Sequence, residues 1–452
     1  MGTDSTFLGT EKIGKLLFRL SIPAITAQLV NMLYNLVDRI YIGHIPGEGT
    51  LALTGVGVCM PVILLISAFA ALVSMGSAPR ASIYMGKGDN KTAEKILGNS
   101  FVMLLFISVI LSVTIYIWKE KLLLVFGASE NTIGYSMSYM SIYVLGTVFV
   151  QLALGLNAFI TAQGFAKVGM YSVLIGAVCN TILDPIFIFA FHMGVAGAAL
   201  ATVISQAVSA AWVIHFLCGG KTVLKLKKEN FRLERRIVLP CVALGLAPFI
   251  MQATESLIAI CFNASLLKYG GDIAVGTMTI LLSVMQFSML PLVGLTQGAQ
   301  PIISYNFGAR NAQRVKEAFL MLLKCSVAFS TVLWLLVMLF PQIFAGIFTS
   351  DQELIGFTTS AMRIYFAASL IFGVQLACQQ TFIAIGNAKI SLFLAVLRKI
   401  ILLIPLIYIL PLVFTNQTTA VYLAEPVADI IAVSVTGTMF AVQFKKALQS
   451  LK

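Results

Sequence analysis

The sequence predicts an all-α membrane protein whose twelve transmembrane helices form two pseudo-symmetric six-helix lobes, arranged as parallel repeats. Three observations carry this. Apolar stretches longer than the roughly 20 residues a helix needs to cross hydrocarbon recur twelve times. Hydrophobic residues make up 59% of the 452-residue chain and charged residues 11%, with a mean hydropathy of +0.95, a composition that excludes an ordinary soluble protein. The second half also repeats the first at one constant offset.

In chain order, Lys12, Lys15 and Arg19 precede a first helix from about Leu16 to Gly43, with Pro23 in its first turns. A second covers 51–78, and the polar loop Arg80 to Lys95 leads to a third near 98–118. Helices near 133–163, 168–191 and 195–217 complete an N-lobe of residues 1–220. Residues 221–236 form a basic linker with seven Lys/Arg and two acids. Six further helices, near 237–267, 274–303, 317–340, 354–385, 389–414 and 418–443, make a C-lobe of residues 237–452.

With loops assigned alternately to two sides, one side holds 23 Lys/Arg and the other holds Lys119, Lys121 and Lys268. The positive-inside rule then places both termini and the linker in the cytoplasm. Topology accounts for most of the net charge of +12, so no nucleic-acid partner is expected. The basic start lacks the short apolar run and small-residue cleavage site of a signal peptide. Seven cysteines show no metal or redox spacing and read as free thiols. Gly9-x-x-x-x-Gly14-Lys15 imitates a phosphate-binding loop, but Leu16 replaces the required Ser/Thr and no strand precedes it.

A shift of 222 residues lays Gly76, Pro79, Ser82 and Gly86 on Gly298, Pro301, Ser304 and Gly308. It also lays Phe126, Ile133, Gly134, Met140, Ile142 and Tyr143 on Phe348, Ile355, Gly356, Met362, Ile364 and Tyr365, and Ala162-x-Gly164 on Ala384-x-Gly386. Each repeat has an even number of helices, so both halves enter and leave on the same side. Transporters built from such parallel repeats bind substrate between the halves and rock around it.

Five carboxylates fall within the helices: Asp38, Asp184, Glu255, Glu425 and Asp429. Each costs about 3 kcal/mol at a bilayer centre, so each is read as belonging to an ion or substrate pathway or as paired. From approximate helix ends, Asp38, Asp184 and Thr202 lie about 9, 12 and 10 Å below the external surface. Asn180 sits one turn deeper than Asp184 on the same face, Pro185 frees a carbonyl beside the acid, and Asn157 reaches toward mid-bilayer. Two acids, an amide and a hydroxyl offer only oxygen ligands or proton acceptors, which suits a hard cation or a proton. Na⁺ is placed at Asp38, Asn180, Asp184 and Thr202.

Asp429 is expected at the depth of Arg398 and Lys399 in a structural ion pair that Glu425 joins. Glu255 has Gln252 on its face and no evident cationic neighbour, which makes it a candidate ligand for a substrate cation. Met278, Met285 and Met289 follow at helical spacing beside Gln286, and Gln375 with Gln379 forms a polar stripe on the tenth helix. Such methionines usually belong to a core, but flexible thioethers also suit surfaces that accept many ligands. The expected substrate cavity combines these residues with Tyr34. Pro23 and Pro185 are the expected hinges.

The run Asn31-Met32-Leu33-Tyr34-Asn35-Leu36-Val37-Asp38-Arg39-Ile40-Tyr41-Ile42-Gly43, with Leu51-Ala52 and Gly55 after it, resembles the first-helix signature of multidrug and toxic compound extrusion (MATE) transporters, in particular their MepA-like and DinF-like bacterial branch. Pro79 with Gly86, Pro301 with Gly308, and Ala162-x-Gly164 resemble that family's loop motifs. The resemblance covers essentially the whole chain. It implies a cation site at Asp38, Asn157, Asn180, Asp184 and Thr202. It also implies a monomer in the bacterial inner membrane, with no cofactor, exporting small amphipathic, mostly cationic compounds in exchange for Na⁺ or H⁺. Another branch pairs a seventh-helix acid with a tenth-helix acid; here Gln375 and Gln379 stand on the tenth helix, which argues against a second cation site. The competing readings are a flippase for lipid-linked precursors, which the acidic inventory disfavours, and an intramembrane enzyme, for which the three scattered histidines provide no catalytic cluster.

Overall fold

The chain is described here by a computed structural model covering residues 5–451. The first half comprises α1 (Phe7–Thr10), α2 (Ile13–Gly43), α3 (Gly49–Gly86), α4 (Asn90–Val125), α5 (Ile133–Leu145), α6 (Thr147–Ala162), α7 (Ala166–Pro185) and α8 (Gly194–Cys218). The second comprises α9 (Arg235–Ala253), α10 (Glu255–Gly308), α11 (Ala312–Leu339), α12 (Pro341–Phe348), α13 (Gln352–Tyr365), α14 (Phe372–Ala384), α15 (Ala388–Val396), α16 (Ile404–Val413) and α17 (Gln417–Gln449). Two π-helical segments interrupt the regular winding, Ile186–Ala190 directly after Pro185 and Leu397–Leu403 between α15 and α16.

Among the described residues nine helical stretches are long and apolar enough to span a membrane, and the bent pairs α5 with α6 (57°) and α13 with α14 (48°) bring the number to 11. One of the nine, Arg235–Gly308, has 74 residues and would run about 111 Å if straight, several bilayer cores. It turns at Gly271, whose φ of 66° and ψ of −161° suit a residue without Cβ. Division there gives the twelfth span, so the chain is a multi-pass protein of two six-helix lobes. The segment Arg80 to Lys95 is not one long loop: α3 continues to Gly86 and α4 begins at Asn90, capped by the Asp89 carboxylate on the Thr92 N–H at 3.0 Å. The Thr92 hydroxyl, with that N–H, holds the Asp89 acid below the usual carboxylate range. Polarity ends an apolar span but does not end a helix.

The repeat extends to individual bonds. Ser82 Oγ donates to the Ala162 carbonyl at 2.9 Å and, 222 residues on, Ser304 Oγ donates to the Ala384 carbonyl at 2.7 Å. The cap of Asp89 on α4 recurs as that of Asn311 on the Arg314 N–H of α11.

The lobes meet at the end where the linker lies. A Cβ on Gly86 would overlap the Tyr305 carbonyl oxygen and one on Gly308 would overlap that of Ile83, so the same two backbone positions exchange roles across the interface. Ser21 Oγ reaches the Leu295 carbonyl at 3.3 Å, Gln28 reaches Gln297 at 3.1 Å, and Phe69 meets Phe249 edge-on at 4.9 Å. Leu8 is fully buried, and its carbonyl accepts from Asn306 and Arg314. Beyond that level the face of α2 that buries Leu17, Ser21 and Ala24 carries the exposed Asn31 and Asn35, so the lobes part toward the opposite end.

The linker packs on the first lobe. Gln163 Oε1 accepts from Thr222 Oγ1 and the N–H groups of Val223 and Leu224 at 2.8–2.9 Å. Glu94 pairs with Lys227 at 2.7 Å and holds its ammonium above the usual lysine range. Residues 1–4 and 452, which bear the expectation about the termini, lie outside the described residues.

Candidate cation site

Helix α7 packs against α2 and α8, and this position buries the polar face that Asn180 and Asp184 share. Asn180 Nδ2 donates to Asp184 Oδ1 at 3.2 Å and to Thr202 Oγ1, on α8, at 3.5 Å. From α2, the buried Asp38 brings its carboxyl close to that of Asp184. Asn157 of α6 donates to the Gly169 carbonyl at 3.3 Å. Four of the residues expected as a cation site, Asp38, Asn180, Asp184 and Thr202, are thus brought together within the first lobe, whereas Asn157, held at Gly169 about 16 Å along α7 from Asn180, lies at the other end of the adjoining cleft.

The unsatisfied atoms here are all acceptors. Asp38 Oδ1, Asn157 Oδ1, Asn180 Oδ1 and Asp184 Oδ2 are buried with no hydrogen-bond partner. A buried acceptor without a donor is costly, and a buried unpaired carboxylate more so. Two acids facing each other among neutral amides therefore favour a positive ligand, and an oxygen-only donor set fits a proton or a hard monovalent cation.

Asn180 and Thr202 face a narrow cleft of about 40 Å³, lined in part by Tyr34, Asn157, Ser172 and Gln206 as well. Tyr34 thus belongs to this cleft. The sequence reading missed Tyr139, which lies near Thr202 and Asp38 and stacks on Tyr143 at 5.9 Å. The only signal was two tyrosines one turn apart. It also missed Ser205, Gln206 and Ser209, which continue the polar face of α8 by single turns, and Ser172, two turns before Asn180 on α7.

The second lobe departs from expectation in three ways. First, Met278 is fully buried in an apolar cluster that includes Phe262 and Tyr365; the adjacent Thr277, hydrogen-bonded to Thr358 at 3.1 Å, holds that face of α10 inward. Second, Gln375 and Gln379 are only 1% and 2% exposed; they bond to each other at 3.4 Å, and Gln379 donates to Met251 Sδ at 3.0 Å. These three residues are enclosed in this arrangement, whereas Met285 and Met289 are half-buried and Gln286 is exposed.

Third, Glu255 does have a cationic neighbour: Lys399 Nζ donates to its Oε1 at 2.7 Å. Arg398 binds Asp429 at 2.7 Å and Glu425 at 2.9 Å, with its guanidinium 4.6 Å from the Phe372 ring. The expected ion pair is therefore a triad from which Lys399 is missing. The two bases are consecutive in the π-helical Leu397–Leu403, so their side chains diverge around the helix and reach different acids. As for the hinges, α2 runs without interruption through Pro23, and Pro185 marks the passage from α7 into a π-helical turn.

Among curated relatives, the chain is 23% identical over 431 residues to the multidrug export protein MepA of Staphylococcus haemolyticus, covering 95% of this chain and 94% of that protein. It is 24% identical over 420 residues to MepA of Staphylococcus aureus strain N315, covering 92% of each. Among solved structures it is similar to a MATE in its bent conformation, with a TM-score of 0.93 at 23% identity over the whole of both chains. It is also similar to an outward-facing multidrug resistance MATE family transporter, with a TM-score of 0.92 at 24% identity over 99% of each. The MatE family model matches twice, at residues 23–186 and 248–409, once in each lobe and together over most of the sequence, so the chain belongs to the MatE family.

Proposed function

We propose that this protein is a secondary active multidrug antiporter of the bacterial cytoplasmic membrane, exporting amphipathic, mostly cationic compounds in exchange for Na⁺ or H⁺, with Asp38, Asn180, Asp184 and Thr202 as its coupling site and Asn157 farther along the same cleft. The observation that carries the reading is the set of three partnerless buried acceptors, Asp38 Oδ1, Asn180 Oδ1 and Asp184 Oδ2, on two facing carboxyls and the amide beside them. A cation or proton bound there relieves a charge penalty of a few kcal/mol. It drives motion only if the two lobe arrangements bind it unequally. Asp38 and Asp184 lie on different helices, α2 and α7, so any change in their spacing changes that affinity, and α2 also carries the contacts of Ser21 and Gln28 with the second lobe.

The relatives' printed function as multidrug export proteins supports the substrate class. The basic linker end lies cytoplasmic by the positive-inside rule, so the lobes part toward the outside. The test is Asp184→Asn in proteoliposomes. The variant should still bind a lipophilic cation but fail to concentrate it under an imposed gradient, and Na⁺ and proton gradients applied separately identify the coupling ion. Normal accumulation would move the site elsewhere, and parallel loss of drug binding would make Asp184 a substrate ligand.

A further inference from the structure

The second lobe holds a charge network that the coupling site does not use. Its acids are Glu255 on α10 and Glu425 and Asp429 on α17; its bases are Arg398 and Lys399. Three carboxylates face two cations. Arg398 alone serves Glu425 and Asp429, so a surplus negative charge stays on that buried pair, while Lys399 and Glu255 neutralise each other. Tyr365 of α13 faces all three acids but brings no positive charge.

The two halves of the network differ in exposure. Arg398, Glu425 and Asp429 are enclosed, each less than 7% exposed at the side chain, whereas Glu255 is 51% exposed and Lys399 8%. Glu255 lies six residues, about 9 Å along the helix direction, beyond Phe249, which still touches Phe69 of the first lobe. That places it where the lobes part. Lys399 also lies within electrostatic reach of Glu425. One lysine thus stands between an accessible acid that it neutralises and an enclosed acid pair that lacks a full counter-charge.

We propose that Lys399 is a displaceable counter-ion: an organic cation entering between the lobes takes over Glu255, and Lys399 turns inward to the surplus charge of Glu425 and Asp429. This rests on the cation-export reading above and extends it to how the second lobe selects charge. A free carboxylate would attract any cation; one held by a built-in ammonium admits only a ligand whose other contacts help displace it. The inward move leaves no ammonium stranded, since an unpaired buried charge would cancel the gain. A neutral ligand gains nothing from the exchange, and an anion finds no unpaired base.

The test uses the purified full-length protein, with tetraphenylphosphonium as probe and uncharged triphenylphosphine oxide as control. Lys399→Met removes the competitor and leaves Glu255 half-exposed, so tetraphenylphosphonium should bind about fivefold tighter, the scale of a partly exposed ion pair, with the oxide unchanged. Lys399→Arg, which retains a counter-ion, should behave nearly as the native chain. Glu425→Gln, close in shape to the native residue, removes the surplus charge. It should weaken tetraphenylphosphonium binding when Lys399 is present and have no effect in the Lys399→Met background, a dependence that a merely structural role for Glu425 would not produce. Unchanged or weaker binding in Lys399→Met, or an equal effect of Glu425→Gln in both backgrounds, overturns the proposal. A native protein that binds the cation no better than the oxide refutes the cation-export reading itself.

Discussion

Replacing Gly86 by Ala places a methyl group where the lobes touch backbone to backbone. The added Cβ would overlap the Tyr305 carbonyl oxygen and lie 2.8 Å from its carbon and 2.9 Å from the Ala309 nitrogen. Ordinary carbon contacts begin near 3.5 Å, so α3 and α10 must move apart by at least about 0.7 Å. The obstructing atoms belong to helical backbone and cannot turn aside as a side chain could. Overpacking of this kind costs about 1–3 kcal/mol, and the cost falls only on the arrangement in which the linker ends are closed. The balance should shift away from that arrangement by roughly 5- to 150-fold. Spin labels at Lys91 and Lys316, exposed on the two lobes, should report a longer distance by pulsed electron resonance. Gly308→Ala, which meets Ile83 in the same way, should match it. An unchanged distance distribution with unchanged thermal stability in both variants would refute the claim that these glycines set the closed end.

Orientation is tested with a cysteine at Lys221, which is exposed and takes no part in the Glu94–Lys227 pair. In a background stripped of Cys218 and the other native cysteines, it should resist impermeant thiol reagents in intact cells and react after permeabilisation. Rapid labelling from outside would invert the topology. Arg398→Leu should lower stability by about 3–5 kcal/mol, the usual loss when a buried charge network loses its cation. Adding Glu425→Gln and Asp429→Asn should restore most of it, as read from thermal unfolding in detergent; failure of that rescue would show that Arg398 stabilises through packing on Phe372 rather than through charge.

The spans and the repeat were legible because both rest on periodic residues. Ser82 and Ser304 lie 222 apart in sequence and make the same bond in space. The grouping of Asp38, Asn180, Asp184 and Thr202 was legible because a polar side chain at membrane depth needs a polar neighbour, and few were available. The partner of Glu255 was not. Lys399 is 144 residues away, and its direction depends on a π-helical segment that no local pattern announced. The burial of Met278, Gln375 and Gln379 was equally hidden: hydropathy says which helices cross the membrane, not how far each is rotated toward its neighbours. Tyr139 was overlooked for a related reason, since a tyrosine one turn from another is ordinary on any helix.

The exchange of roles between Gly86 with Tyr305 and Gly308 with Ile83 has a consequence for ancestry. A patch whose two halves answer each other across a twofold axis is self-complementary, so two identical six-helix chains could have formed it before any linker joined them. Both copies would need the same orientation in the membrane, which an even helix number and basic loops on one side provide. Fusion then freed the halves to diverge: one gathered facing acids and amides, the other a cation-bearing charge network, while the seam between them kept the imprint of the homodimer.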